Sequence, residues 1–251
     1  MNGLSSSFAR KSVRLRGFSL VEFAVVLALV GVMVAIGFKS QELMEQYKQS
    51  QFVTGVRLLQ SNLQAHRTAT GRWPGDCNRD GLMDHVFINT TELDGDTYDY
   101  AVPSSLTPAA DASATYSLGM VCPALTFAPF DKLNVPFNEL KRGGQTPTGE
   151  PNRKSAIHAM GGFAFLGTFD INASESNTES RFNAMVLTNV PITAARRLAT
   201  AVDGNDGTAA NLNRVRRSDD LISFAPKWTA TGETDDKRIT VVLFFDRIPP
   251  Q

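Results

Sequence analysis

The chain has 251 residues, 25 of them Lys or Arg and 25 Asp or Glu, so its formal net charge is zero. This length allows one membrane anchor and one sizeable core but does not favour several domains. Residues 1–17 hold four of the basic residues and no acid, so the rest of the chain has a net charge of −4 and gives no general reason to expect nucleic-acid binding.

A long apolar segment follows this basic leader. Residues 18–38 number 21, contain no proline and carry one charged side chain, that of Glu22. With a rise of 1.5 Å per residue, such a helix measures about 30 Å, the thickness of the hydrocarbon core of a bilayer. By the positive-inside rule, the leader is expected to stay in the cytoplasm and the residues after Phe38 to be exported. The basic residues of the leader are Arg10, Lys11, Arg14 and Arg16.

Glu22 is the informative residue of this segment. An ionised carboxylate so far inside an apolar helix is costly unless a cation pairs with it. Residues 18–38 contain no Lys, Arg or His, so the sequence predicts a cation that comes from outside the segment. The alternative is an ordinary membrane anchor, in which Glu22 lies near enough to one end to reach the lipid headgroups.

Residues 17–22 read Gly-Phe-Ser-Leu-Val-Glu and, with the apolar run behind them, resemble the class III signal of type IV pilins and pseudopilins. The resemblance implies that a prepilin peptidase cleaves after Gly17 and that the new amino group of Phe18 is then methylated. It also implies that Glu22 pairs with the Phe18 amine of a neighbouring subunit. A secretory signal peptide matches less well, because its apolar region is shorter and ends at a small-residue cleavage site.

The same resemblance implies partners and a location. The partners are other pilin subunits, the prepilin peptidase, an inner-membrane assembly platform with its ATPase motor, and membrane lipid before assembly. The precursor would cross the bacterial inner membrane once, with its head in the periplasm, and would then enter an extracellular or periplasmic filament.

After Phe38 the apolar residues recur at helical spacing, so we expect one helix over residues 18–67. Gly71 and the sequence Trp73-Pro74-Gly75 end it. The apolar stripe of its second half comprises Leu43, Tyr47, Phe52, Val56, Leu59 and Leu63. The predicted parts of the chain are the leader (1–17), the long helix (18–71, transmembrane over 18–38 and amphipathic over 39–71) and an exported head (72–251).

The head is expected to contain a loop region (72–160) and a sheet region (161–251). Eight prolines lie in the loop region and forbid long helices and central strands there, so only a turn of helix near residues 129–140 is expected. In the sheet region, apolar and β-branched runs predict strands over 163–169, 182–188, 221–224 and 238–245, and Pro191 opens a predicted helix that Gly204 stops. The predicted fold class is α+β: the long helix packed on an antiparallel sheet of about four strands, as the pilin resemblance also implies.

Two cysteines, Cys77 and Cys122, lie on the side predicted to be exported. Disulfides persist in oxidising compartments, and an even number of cysteines allows complete pairing. The sequence therefore predicts a Cys77–Cys122 disulfide, with two buried thiols as the alternative.

Residues 76–84 read D-x-N-x-D-G-x-x-D, which is the front half of a calcium loop of the EF-hand or dockerin type. The predicted ligands are Asp76, Asn78, Asp80 and Asp84. Phe87 stands where the bidentate acid of such a loop belongs, so a calcium ion needs another ligand, for which Asp94, Asp96 and Asp99 are candidates. The alternative is a turn whose Asp and Asn side chains accept hydrogen bonds from backbone amides.

Two further charged stretches have structural explanations. The turn Asp203-Gly-Asn-Asp-Gly207 follows the predicted helix, so a helix end explains it without a metal ion. The arginines 214, 216 and 217, with 196 and 197 nearby, form a basic cluster without interleaved aromatic residues, so we expect a solvated face or an intersubunit salt bridge and consider nucleic-acid binding unlikely.

No pattern typical of an enzyme occurs in the sequence. The three histidines, His66, His85 and His158, lie far apart, and no glycine-flanked Ser or Cys nucleophile accompanies them. The sequence therefore predicts a structural filament subunit rather than an enzyme. The alternatives are a pseudopilin of a type II secretion system, an adhesin at a pilus tip, and a membrane-anchored enzyme that never polymerises.

Overall fold

The computed structural model describes residues 20–87, 93, 122, 133–148, 150–172, 178–204 and 209–250. The chain divides into two compact units, Met1–Gln46 and Tyr47–Gln251. One helix of 51 residues, α1 (Leu20–Thr70), contributes to both units. The fold is α+β, as predicted, because the described residues of the second unit include a five-stranded sheet beside the helical ones.

Within the first unit, α1 exposes apolar side chains on all its sides. Their exposed fractions run from 86% at Leu20 to 50% at Val30. Among the described residues, α1 is the one helix long and apolar enough to cross a membrane. A helix that is apolar all round is stable only where lipid or other helices surround it.

Within the second unit, α1 is amphipathic. Phe52, Val56 and Leu63 are buried in the core, and Leu59 packs against it. The predicted stripe is confirmed over these residues. It is wrong at Leu43 and Tyr47, which are 57% and 61% exposed, because burial on this helix begins only at Phe52.

The end of α1 lies close to the predicted one. The N–H of Gly71 donates to the carbonyl of Arg67 at 2.8 Å, and Gly71 has a φ of 78°. This is the left-handed glycine that commonly closes a helix. Since the structure describes the chain from Leu20 onward, the predicted start of the helix at Phe18 lies outside the described residues.

The sheet has the spatial order β1-β2-β3-β5-β4. Its strands are β1 (Val86–Phe87), β2 (Ala164–Asp170), β3 (Arg181–Pro191), β4 (Val215–Arg217) and β5 (Arg238–Phe244). The strands β2, β3 and β5 match three predicted strands. The two long central ladders bury β-branched and aromatic side chains, among them Phe165, Val186 and Val241.

Two predictions about the sheet are wrong. The sheet is mixed rather than antiparallel, since β1 pairs in parallel with β2. Gly167 permits this pairing, because a Cβ there would lie 2.7 Å from the carbonyl oxygen of His85. The predicted strand over 221–224 is a turn instead: Asp220 accepts hydrogen bonds from the N–H groups of Ile222 and Ser223, both at 2.9 Å.

The described part of the second unit also contains three shorter α-helices: α2 (Asn134–Arg142), α3 (Asn152–Ala156) and α4 (Ile192–Asp203). The helix expected near 129–140 is α2, shifted toward the C-terminus, and α3 was not predicted. The helix expected from Pro191 is α4, with Pro191 in extended conformation just before it and Gly204, at a φ of 72°, just after it. Its buried face packs on the sheet through Ile192, Ala194, Ala195, Leu198 and Ala199.

Candidate functional site

The predicted processing residues lie at the beginning of the chain. Gly17 and Phe18 are outside the described residues. Glu22 lies in the first turn of α1, where the helix dipole favours a negative charge. Exposed apolar side chains flank it, with Val21 at 70% and Phe23 at 61%. A carboxylate is therefore placed at the amino end of a long apolar surface.

The second region of interest follows α1 and contains the disulfide. Cys77 and Cys122 are bonded, with their Cα atoms 5.0 Å apart, so the predicted disulfide is confirmed. The N–H of Cys122 donates to Glu139 Oε1 at 3.1 Å. The disulfide is thus joined to α2 by a hydrogen bond to a charged acceptor, which is stronger than one between neutral groups.

Glu139 is the centre of this region and is only 3% exposed. Arg72 donates two hydrogen bonds to its carboxylate, at 2.8 Å to Oε2 and 2.5 Å to Oε1. The N–H of Gly75 donates to Oε2 at 2.9 Å. The bond with Glu139 raises the pKa of Arg72. This carboxylate therefore joins the end of α1, the loop behind it and Cys122.

His66, the last buried residue of α1, faces the same carboxylate. Its Nε2 lies 3.7 Å from Glu139 Oε2, and burial lowers the pKa of the imidazole. Beside it, the guanidinium of Arg67 stacks over the ring of Trp73, 4.4 Å from the centroid, and pairs with Asp246 at 3.1 Å. These contacts fix the direction in which the chain leaves the helix.

The acidic loop 76–84 contains the predicted metal ligands. Asp76 Oδ2 accepts a hydrogen bond from Gly81 N–H at 3.1 Å, Asn78 Oδ1 from Asp80 N–H at 3.0 Å, and Asp80 Oδ1 from Leu82 N–H at 2.8 Å. No group of three or more His, Cys, Asp or Glu side chains that could hold a metal ion occurs in the part of the chain that the structure describes. The further candidate ligands Asp94, Asp96 and Asp99 lie outside that part.

The basic cluster is not a solvated face at its centre, so this expectation is wrong for Arg216 and Arg217. Both are only 3% exposed. Arg217 donates to Asp219, to Glu233 and to the carbonyl of Trp228, and the bond with Glu233 raises its pKa. Arg216 lies over the ring of Phe224 at 5.1 Å, and burial lowers its pKa. Through these contacts the two guanidinium groups connect β4 to the neighbouring segments of the chain.

The acidic turn after α4 has the structural role that was expected. Asp203 accepts hydrogen bonds from the N–H groups of Arg214 and Val215, at 3.3 and 3.1 Å. It thereby connects the end of α4 with the start of β4. Residues 205–208 of this turn lie outside the described residues.

A buried lysine was missed by the sequence analysis. Lys141 on α2 is 1% exposed, and its Nζ donates to the carbonyl of Glu150 and to Oδ1 of Asn152, both at 2.5 Å. Burial lowers its pKa to about 8. Asn152 also donates to Asn138 Oδ1 at 2.8 Å. A lysine in a proline-rich stretch gives no sequence signal for burial, because its partners are an amide and a backbone carbonyl.

His158 is a histidine of the second unit whose contacts favour the neutral ring, so the stability of this unit is expected to fall at acidic pH. Its Nε2 lies 2.9 Å from the carbonyl of Thr188, and its Nδ1 accepts from Met160 N–H at 3.3 Å. The ring packs edge-on against Phe52. Burial lowers its pKa from 6.5 to about 4. The folded protein therefore holds the neutral ring, because a proton on Nδ1 would remove the acceptor that Met160 uses.

We expect the free energy of unfolding of a His158→Gln variant to depend less on pH than that of the unchanged chain. The folded pKa lies below the unfolded one, so the stabilisation from His158 is complete above about pH 6.5 and is lost as the pH falls toward about 4. Over that window it changes by about 2–3 kcal/mol. Urea unfolding of the full chain in detergent, followed by tryptophan fluorescence at several pH values, measures the difference. Parallel pH profiles for the two proteins would contradict the assignment.

Two of the solvent-open cavities formed by the described residues lie beside these groups. One, of about 350 Å³, lies between the amphipathic part of α1 and residues 145–164, with Phe52, Leu59 and Leu187 in its lining. The other, of about 200 Å³, lies beside the acidic loop and is lined by Asn78, Asp80 and Asp84 among others. Comparison of the chain with protein-family models, with curated proteins and with solved structures gives no match.

Proposed function

We propose that this chain is a structural subunit of a type IV pilus-like filament, assembled from the inner membrane. The observation that carries the proposal is α1 itself. The part of α1 in the first unit exposes apolar side chains on all sides, and Glu22 lies in its first turn. The part of α1 in the second unit packs into the core of a folded head. Such a helix is suited to lipid before assembly and to a bundle of identical helices afterwards.

The proposed mechanism proceeds in stages. The basic leader holds the precursor in the membrane with the head outside. Cleavage after Gly17 creates a cationic amino terminus at Phe18. In the apolar interior of the filament, Glu22 of one subunit pairs with the Phe18 amine of the next. A subunit in the wrong register leaves both charges buried and unpaired, so the pair selects the register even if its net stabilisation is small.

The proposal is tested by mass spectrometry of sheared extracellular fibres and of periplasmic fractions from cells that express the chain. The expected result is that the chain occurs in a polymer and begins with N-methylated Phe18. The compartment in which the polymer is found separates a surface pilus from a secretion pseudopilus. A chain that begins at Met1 and remains monomeric in the membrane would overturn the proposal in favour of an anchored domain or enzyme.

We expect Glu22→Ala to be cleaved normally and to stay in the membrane but to enter filaments at less than about a tenth of the unchanged level. The reason is that this variant loses the charge that selects the register, and a loss of about 1.4 kcal/mol already lowers an association constant tenfold. Quantitative blotting of the fibre and membrane fractions gives the ratio.

Glu45→Ala is the matched control for this variant. Glu45 is also an exposed acid on α1, but it lies beyond the apolar segment. We therefore expect the Glu45→Ala chain to assemble normally. Glu22→Gln separates charge from side-chain shape and should behave like Glu22→Ala. Assembly of Glu22→Gln at the unchanged level would show that the charge pair has no role in register.

A further inference from the structure

The α1 groove is an open cavity of about 350 Å³ between residues 51–62 of α1 and residues 145–159. Core side chains, Phe52 among them, contribute to its lining. Two large aliphatic side chains of the same lining are mostly exposed, Leu58 at 61% and Ile157 at 52%. Exposed apolar side chains that continue into an apolar cavity are typical of a surface at which another molecule binds.

The α1 groove also contains polar atoms without a partner. The hydroxyl oxygens of Thr146 and Ser155, two residues of its lining, are buried and make no hydrogen bond with any residue that the structure describes. Leaving a buried hydroxyl without a partner is costly, so such a group normally meets water or a bound molecule. The occupant of the groove should therefore bring an aliphatic side chain together with neutral polar groups, such as those of a backbone turn.

The Ile222 turn, residues 219–223 after β4, presents an aliphatic side chain of this kind. Ile222 is 65% exposed. The carboxylate of Asp220 fixes the turn, because it accepts from the N–H groups of Ser223 and Ile222 at 2.9 Å and from the hydroxyl of Ser223 at 2.8 Å. These hydrogen bonds lower the pKa of Asp220, so the turn keeps a negative charge. A side chain on a turn that is already ordered loses less entropy on binding.

The α1 groove and the Ile222 turn lie on opposite faces of the sheet. Successive side chains of a strand alternate between the two faces, whereas paired residues of neighbouring strands share a face. The groove is lined by Ala164 of β2 and by its partner Leu187 of β3. The turn is anchored by Phe224, which stacks on Phe169 at 5.1 Å, and Phe169 lies an odd number of positions from Ala164 along β2. A chain therefore cannot place this turn in its own groove, but two copies can meet in this way.

Charge distinguishes Ile222 from Ile248, which is 55% exposed on the same unit. Segment 150–154 borders the groove and has two basic residues and one acid, so its net charge is +1. Ile222 follows the ionised Asp220, whereas Ile248 follows the exposed Arg247. Opposite charges favour the encounter of two surfaces, and like charges oppose it. The groove therefore suits the Ile222 turn better than the segment around Ile248.

We propose that the Ile222 turn of one copy of this chain docks in the α1 groove of the next copy, with Ile222 against its apolar lining. This inference rests on the proposed function, because it names the contact by which the heads of neighbouring subunits meet. The two surfaces differ, so the contact is heterologous, and a heterologous contact that does not close into a ring builds a helical filament. One turn buries too little area to hold two copies alone, so the contact acts between chains that their α1 helices already hold together.

The direct test places a diazirine-bearing aliphatic amino acid at position 222 of the full chain, in cells that also express an epitope-tagged copy without it. After illumination, mass spectrometry of the fibre fraction is expected to join position 222 to residues 51–62 or 145–159 of the tagged copy. Fibres that contain the chain but give no crosslink, or a crosslink elsewhere, would overturn the docking and leave the proposed function standing. If the unchanged chain forms no polymer, the proposed function fails and the docking fails with it.

Charged replacements on the two surfaces give a second test. Ile222→Lys and Leu58→Asp should each lower the amount of fibre to less than about a tenth, because each would bury an unpaired charge in an apolar contact. The double variant should recover most of the fibre, since the two new charges are opposite and meet each other. Ile248→Lys is the matched control and should assemble normally. Normal assembly of both single variants, no recovery in the double variant, or an equal loss in the control would overturn the docking.

Discussion

Replacement of Glu139 by glutamine is expected to lower the free energy of unfolding by about 3–5 kcal/mol, the usual result of breaking a buried ion pair on one side. The carboxylate accepts hydrogen bonds from Arg72, from Gly75 N–H and from Cys122 N–H. Glutamine keeps the shape of the side chain but turns one oxygen into a donor. That donor would face groups that also donate, and the charge of Arg72 would lose its buried partner.

The measurement is urea unfolding of the full chain in detergent, followed by the fluorescence of Trp73 and Trp228. Both tryptophans are 2% exposed and lie in the second unit, so the signal reports the unfolding of that unit. Asp235→Asn is the control, because Asp235 is exposed and pairs with the half-exposed Arg196 at 4.0 Å, so its loss should cost less than about 1 kcal/mol. Equal losses for the two variants would show that Glu139 is not the centre of the region.

The parts of the fold that the sequence predicts are those whose signal is local. Helical spacing identifies α1, Pro191 and Gly204 mark the two ends of α4, and apolar and β-branched runs identify β2, β3 and β5. The disulfide follows from a count of two cysteines in the part of the chain that is predicted to be exported. In each case the residues that carry the signal are the residues that form the element, so no knowledge of the partners is needed.

The parts that the sequence does not predict depend on distant partners. Strand β1 has two residues and exists because Gly167 lets the backbone of His85 approach. Strand β4 contains two arginines, which normally indicate exposure, and both are buried because carboxylates, carbonyls and aromatic rings reach them from other segments. Leu221 looks like a strand residue but has a φ of 61°, in a turn that Asp220 imposes.

The candidate sites divide in the same way. The pilin-like signal lies within six consecutive residues, so the sequence alone suffices to propose it. The motif of the acidic loop is also local, but the hydrogen bond from Met83 N–H to Asn183 Oδ1 of β3, which holds this loop on the sheet, depends on the fold. Glu139 carries no sequence signal, because its significance lies in partners 17 and 67 residues away along the chain.

Replacing both cysteines by serine is expected to lower the free energy of unfolding by about 4 kcal/mol. The disulfide closes a loop with a sequence separation of 45, and the chain-entropy relation gives this value for the freedom that the unfolded chain regains. The same fluorescence-monitored urea unfolding gives the value. Reduction of the unchanged protein should produce the same loss, which serves as the control for the substitutions.

The disulfide and Glu139 should not act independently, because Cys122 belongs to both. The crosslink holds the N–H of Cys122 at 3.1 Å from Glu139 Oε1. The loss of this hydrogen bond is therefore part of the loss of stability expected for Glu139→Gln. In the chain without cysteines, Glu139→Gln should therefore cost less by about 0.5–1.5 kcal/mol, the coupling energy of a double-mutant cycle between contacting residues. Strict additivity would mean that the crosslink does not place Cys122 on the carboxylate and acts through the unfolded chain alone.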